Sequence, residues 1–251
     1  MPRLTALLVS LLLVLPVAVR AMPAPRVDCA VPDDFMVPDT PLPHLAAALA
    51  SGKPVDVLAV GSGTTVGNAN HTLGVPFPYR MIEALQAARP GVTFEITVRG
   101  GRTMTAEAML PLLTEALHSR TYPLVLWQTG TVEAVRGLRP DMLMGVLQDG
   151  ADAVREAGGD LVLIDPQFSR FLRANTDLDP YESVLEQMAA LPGVVLFHRF
   201  DLMHAWVSAG VIDLERVHAA DRERTVAMLN TCLGQALARF VLNGADLPAP
   251  P

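Results

Sequence analysis

The feature that most constrains this chain is a fivefold alternation of two patterns. Short apolar segments at residues 55–60, 93–98, 122–130, 160–165 and 194–200 read as strands. Longer stretches follow them, with apolar residues three and four apart. Met81, Leu85 and Ala88 mark one; Met109, Leu112, Leu113 and Leu117 mark the next. Strands separated by helices this long pair in parallel, because a parallel pair needs a crossover of a dozen residues or more. The expected fold class is therefore α/β: a three-layer α/β/α sandwich around a five-stranded parallel sheet. Its crossovers are right-handed, and ligands in such open sheets sit at the carboxyl ends of the strands. The loops after Val60, Val98, Trp127, Asp165 and Phe200 thus line any site.

Punctuation supports this division. Gly52, the Gly158-Gly159 pair and Gly244 read as helix ends, and Pro140 suits a first helical turn. A short helix is expected over 43–52, another over 201–210, and a long last one over 224–244. Trp127, Trp206 and the helically spaced methionines read as core. No internal repeat or second domain is visible.

The N-terminus has a different character. Arg3 precedes an apolar run over 4–17, and Val19-Arg20-Ala21 offers a cleavage site with a small last residue. The run falls short of the roughly 20 residues of a membrane span. Residues 1–21 therefore read as a secretory signal peptide, with no membrane span once it is cleaved. Residues 22–42, rich in Pro and Asp, read as an extended lead-in; 43–244 form the domain and 245–251 a Pro-rich tail. A periplasmic or secreted location follows. Losing Arg3 and Arg20 takes the formal charge from −7 to −9, which speaks against a nucleic-acid partner. The chain's two cysteines are Cys29 and Cys232. Export favours a disulfide between them; the alternative is two free thiols with Cys232 packed in a core. Two distant cysteines and irregularly spaced histidines make no metal signature, and no cofactor is expected.

Five stretches carry a family resemblance: "AVGSGTTVG" after the first strand, "VRGGRTMTAEAML" after the second, "LVLWQTGTVEA" after the third, "LVLIDPQF" with "RFDLMHAW", and "AADRERTVAMLNTCLGQALA" at the last helix. Over nearly the whole mature chain they resemble the SGNH (GDSL-type) hydrolase superfamily, closest to a secreted proteobacterial branch. The resemblance implies a flavodoxin-like hydrolase fold and ester chemistry. That chemistry uses a Ser nucleophile, a Gly N–H and an Asn side chain as oxyanion donors, and an Asp-x-x-His pair as orienter and base.

By ungapped position, the nucleophile falls on Gly63, the second-block glycine on Thr103, the oxyanion Asn on Val132, the Asp on Asp221 and the base on Arg224. Glycine has nothing to attack with. Valine donates no hydrogen bond, and arginine stays protonated. No confident catalytic residue remains. The weak candidates are Ser62, one residue early, and His218 in "ERVH". Ser62 reads otherwise as a loop hydroxyl on a neighbouring backbone N–H, and His218 as a solvated residue before a helix. His71 reads as surface, and His198 and His204 as core or rim. Asp221 and Arg224 read as a helix-start ion pair, with Asp221 at an N-cap position.

The first three blocks put Ser62, Gly63, Thr64, Arg102, Thr103, Thr131 and Val132 in the expected ligand pocket. Asp165, Asp221 and Arg224 join them from the later blocks. Arginines at 99, 102 and 224 would favour an anionic or acyl-carboxylate ligand, unless Glu133 and Asp165 neutralise them. Three functions follow. The chain is a non-hydrolytic SGNH-like protein that binds an acylated glycan or other ester-like ligand, or assists an active paralogue as a partner protein. Or it is a divergent esterase or deacetylase using Ser62 with His218 or His204, and Asp221 or Asp201 as orienter. Or it is an envelope scaffold, which predicts a filled pocket.

Overall fold

Apolar segments with no polar alternation fold as the middle layer of the protein, and the computed structural model describes residues 29–67 and 74–248. The signal-peptide segment 1–21, His71 and the last three residues of the tail lie outside the described residues. The strands are β1 (Val55–Gly61), β2 (Phe94–Gly100), β3 (Leu124–Gln128), β4 (Asp160–Ile164) and β5 (Val194–Phe197). They form one all-parallel sheet in the order β2-β1-β3-β4-β5. Val57, Leu58, Ala59 and Val60 of β1 are each fully buried in succession, which requires cover on both faces.

That cover comes from ten helices among the described residues. They are α1 (Pro43–Ala50), α2 (Gly63–Val66), α3 (Phe77–Ala88), α4 (Ala106–Ser119), α5 (Thr131–Arg136), α6 (Pro140–Glu156), α7 (Arg170–Asn175), α8 (Asp179–Ala189), α9 (Arg199–Ser208) and α10 (Arg222–Asp246). Helices α4, α6 and α8 pack in a row, while α3 packs on α10 and α1 touches α10. The five strands and long helices match the sequence pattern. The one-turn helices α2, α5 and α7 are additions, too short to show a period.

By length and composition α10 could cross a membrane. Here it is a core helix. Gly234 lets it approach α3: a Cβ there would lie 2.6 Å from Arg80 C and Met81 N. The expected stop at Gly244 is wrong by two residues, since α10 runs on to Asp246. Gly244 serves packing instead, because a Cβ there would meet Pro38 Cγ at 2.8 Å and Leu42 Cγ at 2.9 Å.

The lead-in is bound to this helix. Cys29 and Cys232 form a disulfide with their Cα atoms 5.3 Å apart. Leu42 N–H donates to Gly244 O at 3.0 Å, Asn243 Nδ2 to Met36 O at 2.7 Å and Trp206 Nε1 to Ala30 O at 2.9 Å. Residues 33–35 make a 3-10 turn rather than extended chain, and Met36 and Leu42 are fully buried. Asp160, at the start of β4, accepts Leu45 N–H at 2.9 Å and so holds the first turn of α1. Burial raises its carboxyl to about 6.

Candidate functional site

The carboxyl ends of β1 and β2 come close because both strands end in glycine. A Cβ on Gly100, at φ +126°, would stand 1.9 Å from Gly61 O. Past Gly61 the chain enters α2, with Ser62 at its N-cap position. Past Gln128, the end of β3, it enters α5. Past β5 it turns at His198 into α9, whose first residue is Arg199. These ends surround a cleft of about 420 Å³, walled on one side by Val226, Leu229 and Asn230 of α10. That is a size that holds a small molecule.

The cleft gathers seven of the ten expected pocket residues: Ser62, Gly63, Thr64, Arg102, Thr103, Thr131 and Val132. Gly63 sits in open space. A Cβ built there meets only Arg102 Cγ, at 3.9 Å. Ser62 is buried, and both its N–H and its hydroxyl donate to Gln128 Oε1 at 3.1 Å. Thr65 Oγ1 donates to the same oxygen at 3.1 Å. The Ser62 hydroxyl is thus tied to a side chain 66 residues away, not to a local backbone N–H as read from the sequence, and its acceptor is an amide oxygen rather than a base.

Thr103 holds φ at +59°, in the left-handed region, where it is the one non-glycine among the described residues. A β-branched residue is strained there, and a glycine is the residue the family pattern supplies. Thr103→Gly is expected to stabilise the fold by about 0.5–1 kcal/mol, the left-handed relief outweighing the added chain entropy. Urea unfolding measures this, and a destabilised variant would mean the Thr103 side chain makes up for its backbone.

Glu133 joins the second and third loops. It is buried and accepts Ala106 N–H at the start of α4, Thr129 Oγ1 at 3.2 Å and Gly130 N–H at 3.0 Å. Its charge is committed to these donors rather than to an arginine. Arg199 is only 1% exposed. Its Nη1 donates to Thr64 Oγ1 at 3.1 Å, while Nε and Nη2 have no partner among the described residues. Burial lowers its pKa to about 10, against the attraction of Asp165, so it stays charged at neutral pH.

Three expected pocket residues lie elsewhere. Asp165 follows β4 buried, and its Oδ1 accepts Phe200 N–H at 2.9 Å. It borders a separate cavity of about 30 Å³ with Glu182, Glu186 and Asp201. Burial pushes its carboxyl well up; the Phe200 N–H and Arg199 act the other way, while Glu182 and Asp201 add to the rise. Asp221 and Arg224 form a 2.7 Å ion pair on the outside of α10, with the Arg224 side chain 82% exposed. Asp221 does occupy the N-cap position, but its side chain caps nothing and goes to Arg224.

The alternative bases do not reach the cleft either. Glu215 of "ERVH" caps α7 through Ser169, Arg170 and Phe171, and His218 is exposed. His204 stacks on Phe168, and His198 borders the acidic cavity. The Arg99 side chain bonds its neighbour's carbonyl, Val98 O. No histidine and no acidic side chain lines the cleft among the described residues.

Among the cleft residues that sequence reasoning missed are Gln128 and Arg199. Each left a trace. Gln128 is a polar residue ending an apolar strand, and Arg199 is a charge placed inside a segment read as strand to residue 200. The strand ends at Phe197, which moves Arg199 to the start of a helix.

Parallel order, strand-end cleft and glycine-rich first loop define an open, doubly wound α/β protein, the architecture that SGNH hydrolases share. Solved structures agree. The chain matches TesA with a TM-score of 0.53 at 20% identity, over 71% of this chain and 97% of that one. It matches AlinE4, an SGNH-hydrolase family esterase, with 0.53 at 20%, over 70% and 92%. A variant of Axe2, an acetylxylan esterase from Geobacillus stearothermophilus, gives 0.59 at 15%, over 78% and 96%. Among curated protein sequences none matches significantly. The chain belongs to the non-GDSL lipase-like family, whose profile matches residues 28–247.

Proposed function

We propose that this protein is an exported, non-hydrolytic relative of the SGNH esterases that binds an acyl-bearing ligand, such as an acylated glycan, in the strand-end cleft. One observation carries the reading: the position facing the open cleft where a nucleophile belongs is Gly63, while the neighbouring Ser62 hydroxyl is tied to Gln128. An attacking serine needs a base within hydrogen-bond reach. Val132, in the oxyanion position, adds no donor. The acylated-glycan part draws on Axe2, described as an acetylxylan esterase. The open cleft favours binding over a scaffold role, which would leave the pocket filled. The disulfide supports an oxidising compartment, periplasmic or secreted.

The test is hydrolysis of p-nitrophenyl acetate and longer p-nitrophenyl esters by the purified protein, beside Ser62→Ala. Both are expected to match buffer. A rate in the parent that Ser62→Ala abolishes would identify a shifted nucleophile and sink the reading.

A further inference from the structure

The cleft has an uneven electrical character. The whole chain carries a formal −7, yet no acidic side chain lines the cleft among the described residues. Two arginines do. Arg102 stands at the rim beside Gly63, exposed and in no ion pair among the described residues. Arg199 lies in the floor, almost wholly buried, with Nε and Nη2 unpartnered. A buried guanidinium with open donors is costly unless something pairs with it. Asp165 acts on Arg199 through space but lies on the other cavity and bonds Phe200 instead. Arg199 lines the cleft, and no carboxylate bonds its guanidinium among the described residues. Beside this floor the wall turns apolar at Pro76, Val132, Leu214, Val226 and Leu229.

We infer that the cleft seats a free carboxylate on Arg199, with Arg102 at the rim, and lays an attached alkyl chain along the apolar wall. The inference rests on the cleft being a binding site, as proposed above, and names its ligand as a carboxylate amphiphile rather than a neutral ester. A planar guanidinium matches a carboxylate with two parallel hydrogen bonds, and Nε with Nη2 is the edge without a partner among the described residues. The Thr64 hydroxyl on Nη1 fixes the plane of the fork.

The experiment is calorimetric titration of the purified protein with decanoate, methyl decanoate and decan-1-ol at neutral pH, beside Arg199→Met. Decanoate is expected to bind about tenfold or more tightly than the two neutral probes, the size of one charge-assisted bond. Arg199→Met is expected to bind all three alike. Its unliganded melting temperature should stay level or rise, since an uncompensated buried charge is gone. If that variant fails to fold, the parent's ratio of decanoate to methyl decanoate decides alone. Equal binding of decanoate and decan-1-ol overturns the inference, as does a preference that survives Arg199→Met. Binding of none of the three overturns it together with the acyl-ligand reading. Hydrolysis of p-nitrophenyl esters would overturn only the non-hydrolytic reading and leave the carboxylate preference standing.

Discussion

Removing the Cys29–Cys232 bond is expected to lower the melting temperature by about 10–20 °C. The bond spans 203 residues of sequence. A cross-link over so long a loop removes chain entropy worth about 5 kcal/mol from the unfolded state. For a domain of this size each kcal/mol moves the midpoint by about 2–4 °C. The double variant Cys29→Ala, Cys232→Ala is the direct test, read by thermal denaturation. Cys232 is fully buried, so its truncation adds a small packing loss of about 1 kcal/mol. The parent protein under dithiothreitol carries no such loss and separates the two effects. A fall of less than about 3 °C in both would mean that the lead-in's noncovalent contacts already restrict the unfolded chain.

The second large effect concerns the ester chemistry that the proposed function takes to be absent. Gly63→Ser is expected to fold normally, since its Cβ meets nothing closer than 3.9 Å, and to remain inert. Adding Val132→Asn supplies a donor from a position that lines the cleft. The base is the deciding part. Arg224→His completes the family pattern on paper, yet residue 224 faces solvent beside Asp221. That triple variant is expected to hydrolyse p-nitrophenyl acetate no faster than buffer. Placing the histidine at Val226, which does line the cleft, is expected to give a rate about 100-fold or more above the Arg224→His version, the usual worth of a positioned general base. Initial rates of the two triple variants decide it. Equal activity above buffer would show that the start of α10 unwinds and delivers residue 224 to the cleft.

This divergence between position 224 and position 226 also shows how far the sequence could be read. The blocks were read without a gap, and that reading put the family's acid and base positions on Asp221 and Arg224. Direction was hidden. The helix begins at Arg222, and each residue turns it by about 100°, so residues 226, 229 and 230 share the cleft face while 224 points about 200° away from 226. The strand and helix order was legible because apolar runs and three-four spacing repeat over many residues. One-turn helices such as α7 have no period to detect. Gly244 reads as a stop because glycine commonly ends helices; its use in packing against Pro38 and Leu42 depends on a segment 200 residues away. Gln128 binds Ser62 and Thr65, and Glu133 reaches Ala106, across loops that only the sheet order brings together, so these roles were not visible locally. Asp165 and Arg199 shared one cause. Both lie at or near strand ends that apolar patterning extends too far, and one residue decides which cavity a side chain enters.

The link between Cys29 and Cys232 also sets a timetable for biogenesis. Synthesis adds roughly 5–20 residues per second, so Cys29 leaves the ribosome roughly 10–40 s before its partner exists. Throughout that interval its thiol has no intramolecular alternative, because the chain holds only two cysteines. Any premature disulfide at Cys29 must therefore join two different molecules. The last helix, once made, closes the clasp and certifies that the whole domain has arrived.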